Sequence, residues 1–558
     1  MGPKPWRLRR DIPAGAAPWK ALAAAWDLDP RLARLAWLRG LDHPEDLAWR
    51  LDAGWGRSTD PHLLPGVDAA VARIRRAIDA GERIVVYGDY DVDGVTSTAL
   101  LMRVLEKLGA DASFFIPNRF SDGYGLHLDC IQELKTERDP GLLISVDCGV
   151  RSVEEVAASV ELGLDWVITD HHALGAELPG ACAVVHPHLG DYANRYLAGV
   201  GVAFKLAQAL LGAVPAPKAG DASFLDGLLK LVAIGTVADM MPLAGENALL
   251  VRRGLASLGE KNGPGLAALV RAARKEGPLG AQDIAFGLAP RLNAVGRMGG
   301  AEDAVRLLLT RDAAEAERLM ARVEALNQER RRIQRELSAR LDPPGPDAFD
   351  LALDPTAHKG VIGIVAGQRM RQSGRPAGVC TVVDGVAHCS LRAPEGYDLG
   401  ELLALAQPFI LGGGGHRAAA GLSFEAARLP FVRQVLQRGA GLQAADREIP
   451  PLLVDGGPGD LPEDGDLARL EPYGQGFAPP LARLSGILSA GPDVFGEDHW
   501  KLRLTGVPDP LTWFAGTERP SLSGPGSLLH LAATPQASLR WGRSWLVEAG
   551  LAAAEARP

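Results

Sequence analysis

Between Gly66 and His172 amphipathic stretches alternate with short, almost wholly apolar ones: VDAAVARIRRAIDAGE, RIVVYGDYDVDG, VTSTALLMRVLEKLGA, GLLISVDCGV, VEEVAASVELGL and DWVITDHH. This order constrains the fold more than any other feature. Strands separated by helices of this length build right-handed βαβ units, whose strands pair in parallel. ISV and WVIT are nearly continuous apolar runs, which fits strands covered on both faces. The expected class is α/β with a parallel sheet. The 558 residues exceed what one core absorbs, and ~150 residues per domain gives an expectation of three to four domains.

The flanks read differently. Residues 1–65 hold six of the eleven tryptophans in short, Pro-punctuated helical patterns such as LARLAWLRGL and PEDLAWRL, so an N-terminal helical cap is expected there, followed by the α/β domain over 66–300. From Arg311 to Arg340 there is neither Gly nor Pro, and Leu319, Val323, Leu326, Ile333 and Leu337 fall on one helical stripe. That predicts a long connecting helix, about 45 Å at 1.5 Å per residue, within 301–345. A second α/β pattern occupies 346–445. Over 446–558, short strands between Gly/Pro-rich turns, without obvious helices, suggest an OB-type β-barrel.

Composition excludes several classes. With 47% hydrophobic and 23% charged residues the chain is neither disordered nor fibrous. A net charge of −9 repels a polyanion, so any nucleic-acid contact requires a local basic track. Cys130, Cys148, Cys182, Cys380 and Cys389 form no CxxC pair and no even framework, which argues against zinc ribbons and a disulfide scaffold and points to a reducing cytoplasm. Lys20 and Asp27 interrupt the N-terminal apolar stretch before a signal-like region forms, and no run reaches the roughly 18 apolar residues of a membrane span. Neither export nor a membrane is expected.

The strongest chemical signal is Asp89-Tyr90-Asp91-Val92-Asp93-Gly94, directly after an apolar strand. In an extended segment i, i+2 and i+4 share one face, so three carboxylates converge and repel unless cations bind. The bland alternative is an acidic turn or a helix N-cap. Three further acids shift the balance. SVDCG ends in Asp147, ITDHH carries Asp170, His171 and His172, and LLKLVAIGTVADMMPL ends in Asp239. In an open parallel sheet ligands bind beyond the carboxyl ends of the strands, so these four strand ends are expected at one crevice. Several carboxylates with imidazole suit two Mn²⁺ ions, with Mg²⁺ as substitute, better than structural zinc.

DYDVDG, VDCG, TDHH and ADMMP, in this order, resemble the motifs of the DHH phosphoesterase superfamily. APRLNAVGRMGGAEDAVRLLL, HKGVIGIVAGQRMRQSGRPA and GGGGHRAAAG are similar to its RecJ branch of single-strand-specific 5′ exonucleases. The resemblance runs from about His62 to the EPYGQGFAPPL stretch near residue 471. It implies a DHH catalytic domain, a long connecting helix, a DHHA1 substrate-binding domain and an OB-type domain around a DNA channel.

Carried over position by position, the resemblance implies that Asp89, Asp91, Asp93, Asp147, His171 and Asp239 are metal ligands, with Asp147 bridging. Asp147, Asp170, His171 and His172 form the catalytic set, in which His172 faces the substrate phosphate and Asp170 orients the histidines. Arg119, Arg291, Asn293 and Arg297 correspond to polar residues near the nucleic acid. Ser390 and Arg392 match a Ser-x-Arg pair on the 5′-terminal phosphate, for which the planar fork of Arg is suited. Gly413 and Gly414, before His416, offer backbone N–H groups for an anion-binding nest, although a glycine run alone is more often a flexible turn. The chain departs from the family pattern at DPTAHKG, where relatives carry Trp before the His, and at Phe477, where Asn is usual.

Arg330, Arg331, Arg332 and Arg335 form a basic cluster, but Glu329 and Glu336 flank it and a solvated charged face explains it equally well. Trp500, Trp513, Phe514, Trp541 and Trp545 offer stacking platforms or barrel filling. The function implied is a two-metal phosphodiesterase that degrades single-stranded DNA from its 5′ end to mononucleotides, in repair and recombination. A helicase or a single-strand-binding protein is a partner by resemblance. The alternatives are a DHH phosphodiesterase of nanoRNA or cyclic dinucleotides, and a non-catalytic single-strand-binding scaffold.

Overall fold

The computed structural model describes residues 6–552 apart from 14, 53, 121–122, 213–218, 274–276, 446–450, 496–498, 515–527 and 539–541. It forms two units, one of Pro5–Asn293, Ala301–Met320 and Pro451–Pro558, the other built on Ala294–Gly300 and Ala321–Pro450.

At the centre of the larger unit lies a five-stranded, wholly parallel sheet. Its spatial order is Ala112–Phe115, Ile84–Gly88, Leu142–Val146, Asp165–Thr169, Ala183–Val185. The first strand of this sheet in chain order, Ile84–Gly88, is flanked on one side by Ala112–Phe115 and on the other by Leu142–Val146. The order therefore reverses around Ile84–Gly88, and a ligand crevice is expected between it and Leu142–Val146. Both are buried at every residue, as their unbroken apolar sequences require. The helices Gly199–Leu210, Ala219–Ala238 and Gly245–Leu258 complete the layer next to that crevice. The last two approach so closely that a Cβ on Gly254 would stand 2.2 Å from the Leu229 carbonyl oxygen.

The N-terminal cap and the C-terminal β-structure share one core. Leu22, Leu32, Leu35 and Trp37 from the helices Lys20–Trp26 and Pro30–Leu38 pack in the same cluster as Leu484, Trp500, Leu531 and Trp545. The strand Trp6–Leu8 also pairs in parallel with Leu452–Val454. Asp455, fully buried, receives Arg9 at 3.0 Å, Arg39 at 2.7 Å and the Leu481 N–H at 2.8 Å. The expected barrel is present as a ring. Ala482–Ile487 pairs with Leu528–Ser538, that strand with Gly542–Ala552, the last in parallel with Leu511–Trp513, and this with His499–Leu502. A bridge from Leu488 to Leu504 returns to the first strand. Trp500, Trp513 and Trp545 are buried and fill it, whereas Phe514 is exposed; Trp541 lies outside the described residues. One short helix, Asp464–Arg469, lies where none was expected.

The smaller unit holds a mixed sheet ordered Gly412–Gly415, Ala419–Glu425, Val386–Arg392, Ala377–Val383, Asp350–Leu353. Period-two alternation sends Cys380 and Leu391 toward the helices Leu399–Ala406 and Leu429–Ala445, and Val379 toward Lys359–Ser373 and Leu337. Cys380 and Cys389 are directly opposed on neighbouring antiparallel strands and form a disulfide. This corrects the expectation of no disulfide: a spacing of nine residues carries no signal until the hairpin brings the two together. The connecting helix is Ala313–Arg340, 28 residues long, within two residues of the expected Arg311–Arg340. Ala301–Leu309 is a separate helix, and Ala313–Arg340 starts where the Asp312 carboxylate accepts the Glu315 N–H at 2.6 Å. On it Arg332 is held by Glu329 and Glu336, both at 2.6 Å, and Arg330 reaches Asn327 and Gln334, so part of the basic cluster is an internally paired face. Among the described residues no helix is long and apolar enough to cross a membrane.

Candidate metal centre

Asp89, Asp147 and Asp170 each follow a strand of the parallel sheet. The acidic hexapeptide is not extended throughout, however. Asp91 is the N-cap of the helix Val92–Lys107, its Oδ1 accepting the N–H groups of Asp93 at 2.8 Å and Gly94 at 3.1 Å, so the chain turns there. The three carboxylates converge through this turn rather than through a strand's pleat. Gly94 makes the turn possible: a Cβ there would lie 2.5 Å from the Asp89 carbonyl oxygen. Inside the helix, Asp93 accepts the Gly199 N–H at 2.6 Å and the Val200 N–H at 2.9 Å, at the start of the helix Gly199–Leu210, whose terminus favours a carboxylate. Asp239 corrects another expectation. It follows the C-terminus of the helix Ala219–Ala238, not a strand, because an apolar run of that length satisfies a buried helix as well as a strand.

Asp147 has φ of +63°, a left-handed conformation costly for most side chains and tolerated best by Asp and Asn among non-glycine residues. Any Cβ on Gly199 would come within 2.7 Å of its side chain.

The side chains meet at one place. His171 Nε2 lies 3.0 Å from Asp147 Oδ1, 3.6 Å from Asp239 Oδ2 and 3.7 Å from Asp93 Oδ2. Three sets of donors each gather within 4.8 Å: Asp89, Asp91 and Asp147; Asp93, His171 and Asp239; and Asp147, His171 and His172. Asp89 Oδ1, Asp147 Oδ1, His171 Nε2 and Asp239 Oδ2 are buried without a hydrogen-bond partner. Such atoms are costly unless something binds them. Burial and mutual repulsion push the carboxyls of Asp89 and Asp239 up to about 8 and of Asp93 up to about 7, and raise Asp147 well above the carboxylate range. Burial holds His171 at about 3 and hence neutral, with a nitrogen able to ligate a metal. A set of oxygen donors with one neutral imidazole fits two divalent cations of the Mn²⁺ or Mg²⁺ kind.

Asp170 plays a different part. Its Oδ1 accepts the N–H groups of His171 and His172 at 2.7 and 3.0 Å and lies 2.8 Å from His172 Nδ1, while Oδ2 accepts the Val150 N–H at 3.0 Å. Burial alone would raise Asp170, but its bonds to His172 outweigh this and hold it at about 2. Burial likewise opposes charge on His172, yet the Asp170 bond lifts it to about 9. Tyr124, which no sequence pattern singles out, places its hydroxyl 3.0 Å from His172 Nδ1.

Arg119 lies over the ring of Tyr90, 4.9 Å from its centroid, between the first two aspartates. Arg291 is turned elsewhere, donating to the Gly287 and Ala272 carbonyls at 2.7 and 2.9 Å. Asn293 is half-buried on the same helix, Ala289–Arg297. Arg297, in the smaller unit, donates to the Gly360 carbonyl at 3.2 Å. In that unit Arg392 Nη1 donates to Ser390 Oγ at 3.1 Å. Gly363 of the facing helix leaves room for them, since a Cβ there would stand 2.8 Å from Ser390 Oγ and 3.1 Å from Arg392 Nη2. Gly413 and Gly414 form no nest. They belong to an edge strand paired with Leu422 and Gly421, and His416 closes its hairpin on Ala419 at 2.8 Å. A glycine run adopts a strand where its neighbour offers a ladder, and its outward N–H groups stay open.

Residues 83–236 match the DHH family, N-terminal domain, and 348–440 the DHHA1 domain. The single-stranded-DNA-specific exonuclease RecJ of Thermus thermophilus is 37% identical over 502 residues, 88% of this chain and 71% of that protein. The chain belongs to the RecJ family. The RecJ of Bacillus subtilis is 39% identical over 446 residues, which make up 78% of this chain but only 55% of that relative. The crystal structure of RecJ in complex with Mn²⁺ from Thermus thermophilus superposes with a TM-score of 0.80 at 32% identity, covering 98% of this chain and 79% of that one.

Proposed function

We propose that the chain is a metal-dependent exonuclease specific for single-stranded DNA, removing mononucleotides from the 5′ end. The observation that carries this reading is the set of four buried, unpartnered ligand atoms on Asp89, Asp147, His171 and Asp239 in a chain of the RecJ family. In this reading Asp89, Asp91, Asp93, Asp147, His171 and Asp239 would hold two divalent cations, Mn²⁺ or Mg²⁺, and Asp147 belongs to two of the three donor sets. The bound cations supply Lewis-acid polarisation of the phosphodiester, water activation and charge neutralisation of the leaving oxygen.

The chain's own residues do the rest. His172, cationic and oriented by Asp170 and Tyr124, donates to a nonbridging phosphate oxygen. Arg119 supports the strand near the acids through Tyr90. Ser390 and Arg392 hold the terminal 5′-phosphate, which sets the end from which digestion runs. The 66–300, 301–345 and 346–445 segments then act as catalytic domain, connector and 5′-end reader, with the cap of 1–65 and the OB-type domain of 446–558 guiding the strand. A role in repair and recombination in the cytoplasm, beside a helicase or single-strand-binding protein, follows from the same reading.

The test is digestion of 5′- and 3′-labelled oligonucleotides of graded length, single-stranded and duplex, with Mn²⁺ and with EDTA. Mononucleotides released from the 5′ end of long single strands support the proposal. Activity confined to dinucleotides points to a small-substrate phosphodiesterase, and binding without cleavage to a scaffold; either overturns it.

A further inference from the structure

One buried and one half-buried cation of the larger unit take no part in this chemistry. Lys230, 8% exposed, donates from Nζ to the Lys261 carbonyl at 2.7 Å. Arg103 donates to the Leu308 carbonyl at 2.5 Å, and its buried Nε has no partner. Among the described residues neither forms an ion pair. Both line a cavity of about 640 Å³ among the helices Val92–Lys107, Ala219–Ala238 and Gly245–Leu258. Lys261 adds a third positive charge at its rim. Of the two carboxylates there, Asp226 is engaged by Arg253 at 2.6 Å and Glu260 is exposed. Leu231, Leu266 and Leu308 supply apolar wall.

An unpaired cation withdrawn from water is costly, and a site that keeps a buried lysine and a half-buried arginine beside an open cavity is arranged for an anion. A cavity of this size is that of a small-molecule site rather than of a single ion. The helix from Asp93 to Arg103 and the helix from Lys230 to Asp239 separate this cavity from the metal centre by ten and nine residues, about 14–15 Å along each axis. A group bound here is therefore not the phosphate undergoing cleavage.

We propose that this cavity is a second site, binding a small phosphate-bearing molecule of mononucleotide size through Arg103 and Lys230, with the base or sugar against Leu231 and Leu266. Because two of the lining helices lead at their other ends to metal-site aspartates, Asp93 within Val92–Lys107 and Asp239 just after Ala219–Ala238, occupancy bears on the placement of both.

The experiment uses the full chain, freed of metal by EDTA, so that phosphate cannot bind through a cation. Thermal unfolding and calorimetry are followed at constant ionic strength with dAMP, inorganic phosphate, deoxyadenosine and a single-stranded 20-mer, each against chloride. A rise in unfolding temperature with dAMP, absent with deoxyadenosine, is expected. Lys230→Met and Arg103→Met should each weaken dAMP by roughly tenfold or more, the loss of a charge-assisted hydrogen bond. Lys230→Met should melt no lower than the parent without ligand, because it removes an uncompensated buried charge; should it fail to fold, Arg103→Met carries the test. The absence of a dAMP effect, an unchanged affinity in the variants, or binding of the 20-mer alone overturns the proposal.

Discussion

His171 Nε2 stands 3.0 Å from Asp147 Oδ1, yet neither atom has a hydrogen-bond partner. A neutral imidazole nitrogen and a carboxylate oxygen held this close need a cation or a proton between or beside them. The surrounding backbone enforces the arrangement: Asp147 is in the left-handed region, and the Gly199–Leu210 helix starts against it.

Asp147→Asn keeps the shape and tolerates the left-handed φ but removes a charge shared between donor sets. Turnover should fall by roughly 10²–10³-fold or more, the scale for losing one preorganised electrostatic group, while single-strand binding persists. Digestion rate and fluorescence anisotropy measured side by side check this; turnover within tenfold of the parent would contradict the two-metal assignment.

Without metal, the raised carboxyls make stability depend on pH. Asp89, Asp93 and Asp239 titrate near 7–8 when folded but near 3.9 when unfolded. Between those values the folded state binds more protons, so their contribution is full below about pH 4 and is lost as pH rises through about 8. Mn²⁺ reverses the sign, since it competes with those protons and binds better as pH rises. Unfolding of the EDTA-treated protein and of Asp239→Asn between pH 5 and 8.5 tests this. The parent should lose stability with pH more steeply than the variant, and parallel curves would refute the placement of these charges.

Much of this centre was legible because strand-end acids in a βαβ pattern have few other uses. Asp89, Asp147 and Asp170 lie where that pattern put them. Asp91 shows why the bland and the chemical readings were not exclusive: one oxygen caps a helix and the other remains for a ligand. Asp239 was found for the wrong reason, since a continuous apolar run does not distinguish helix from strand. Tyr124 was passed over because a lone Tyr acquires meaning only through its distance to His172. The strand pairing of Gly412–Gly415 and the Cys380–Cys389 contact depend on hairpin partners, which a local pattern does not reveal.

Arg50 was equally invisible in the sequence. It is 2% exposed, donates to the carbonyls of Leu470, Pro472 and Leu243, and lies 3.4 Å from the centroid of the Phe477 ring. It thereby ties the cap and the EPYGQGF segment to the loop that follows Asp239. Arg50→Met strands three buried acceptors and should cost at least about 3 kcal/mol, at roughly 1–3 kcal/mol for each group left unsatisfied. Urea unfolding measures this, and a loss under about 1 kcal/mol would show that water replaces the guanidinium.

Tyr124→Phe removes the hydroxyl beside His172 while preserving the ring. If Tyr124 orients that imidazole, turnover should drop by about 10-fold, the lower end for outer partners of a metal site, with Mn²⁺ affinity unaltered. Asp170→Asn should lose more, because it removes the charge that raises His172 and puts an amide NH2 in place of one of the two oxygens that accept backbone N–H groups. Equal losses in both variants would mean that Tyr124 does more than orient.

In the proposed reading, Ser390 and Arg392 set the end from which digestion proceeds. Arg392 presents a guanidinium braced by Ser390 Oγ and the Leu391 carbonyl, at 3.1 and 2.7 Å, and Gly363 keeps the space before them free. A terminal phosphate monoester offers more charge and more acceptor oxygens than an internal diester, so this pair favours the 5′-phosphorylated end. Arg392→Gln should slow digestion by about 10- to 150-fold, corresponding to 1.5–3 kcal/mol for a hydrogen bond to a charged group. The loss should be larger on 5′-phosphate than on 5′-hydroxyl oligonucleotides. Gly363→Ala should reproduce that selectivity without removing either side chain, because its methyl occupies the room left to Ser390 and Arg392. Both variants should retain the Mn²⁺ affinity of the parent, which separates a reader of the end from a part of the metal centre. Rates on the paired substrates at one salt concentration decide the matter: an identical drop on both ends would move Arg392 out of the pocket, and release of labelled nucleotide from the 3′ end would reverse the assigned polarity.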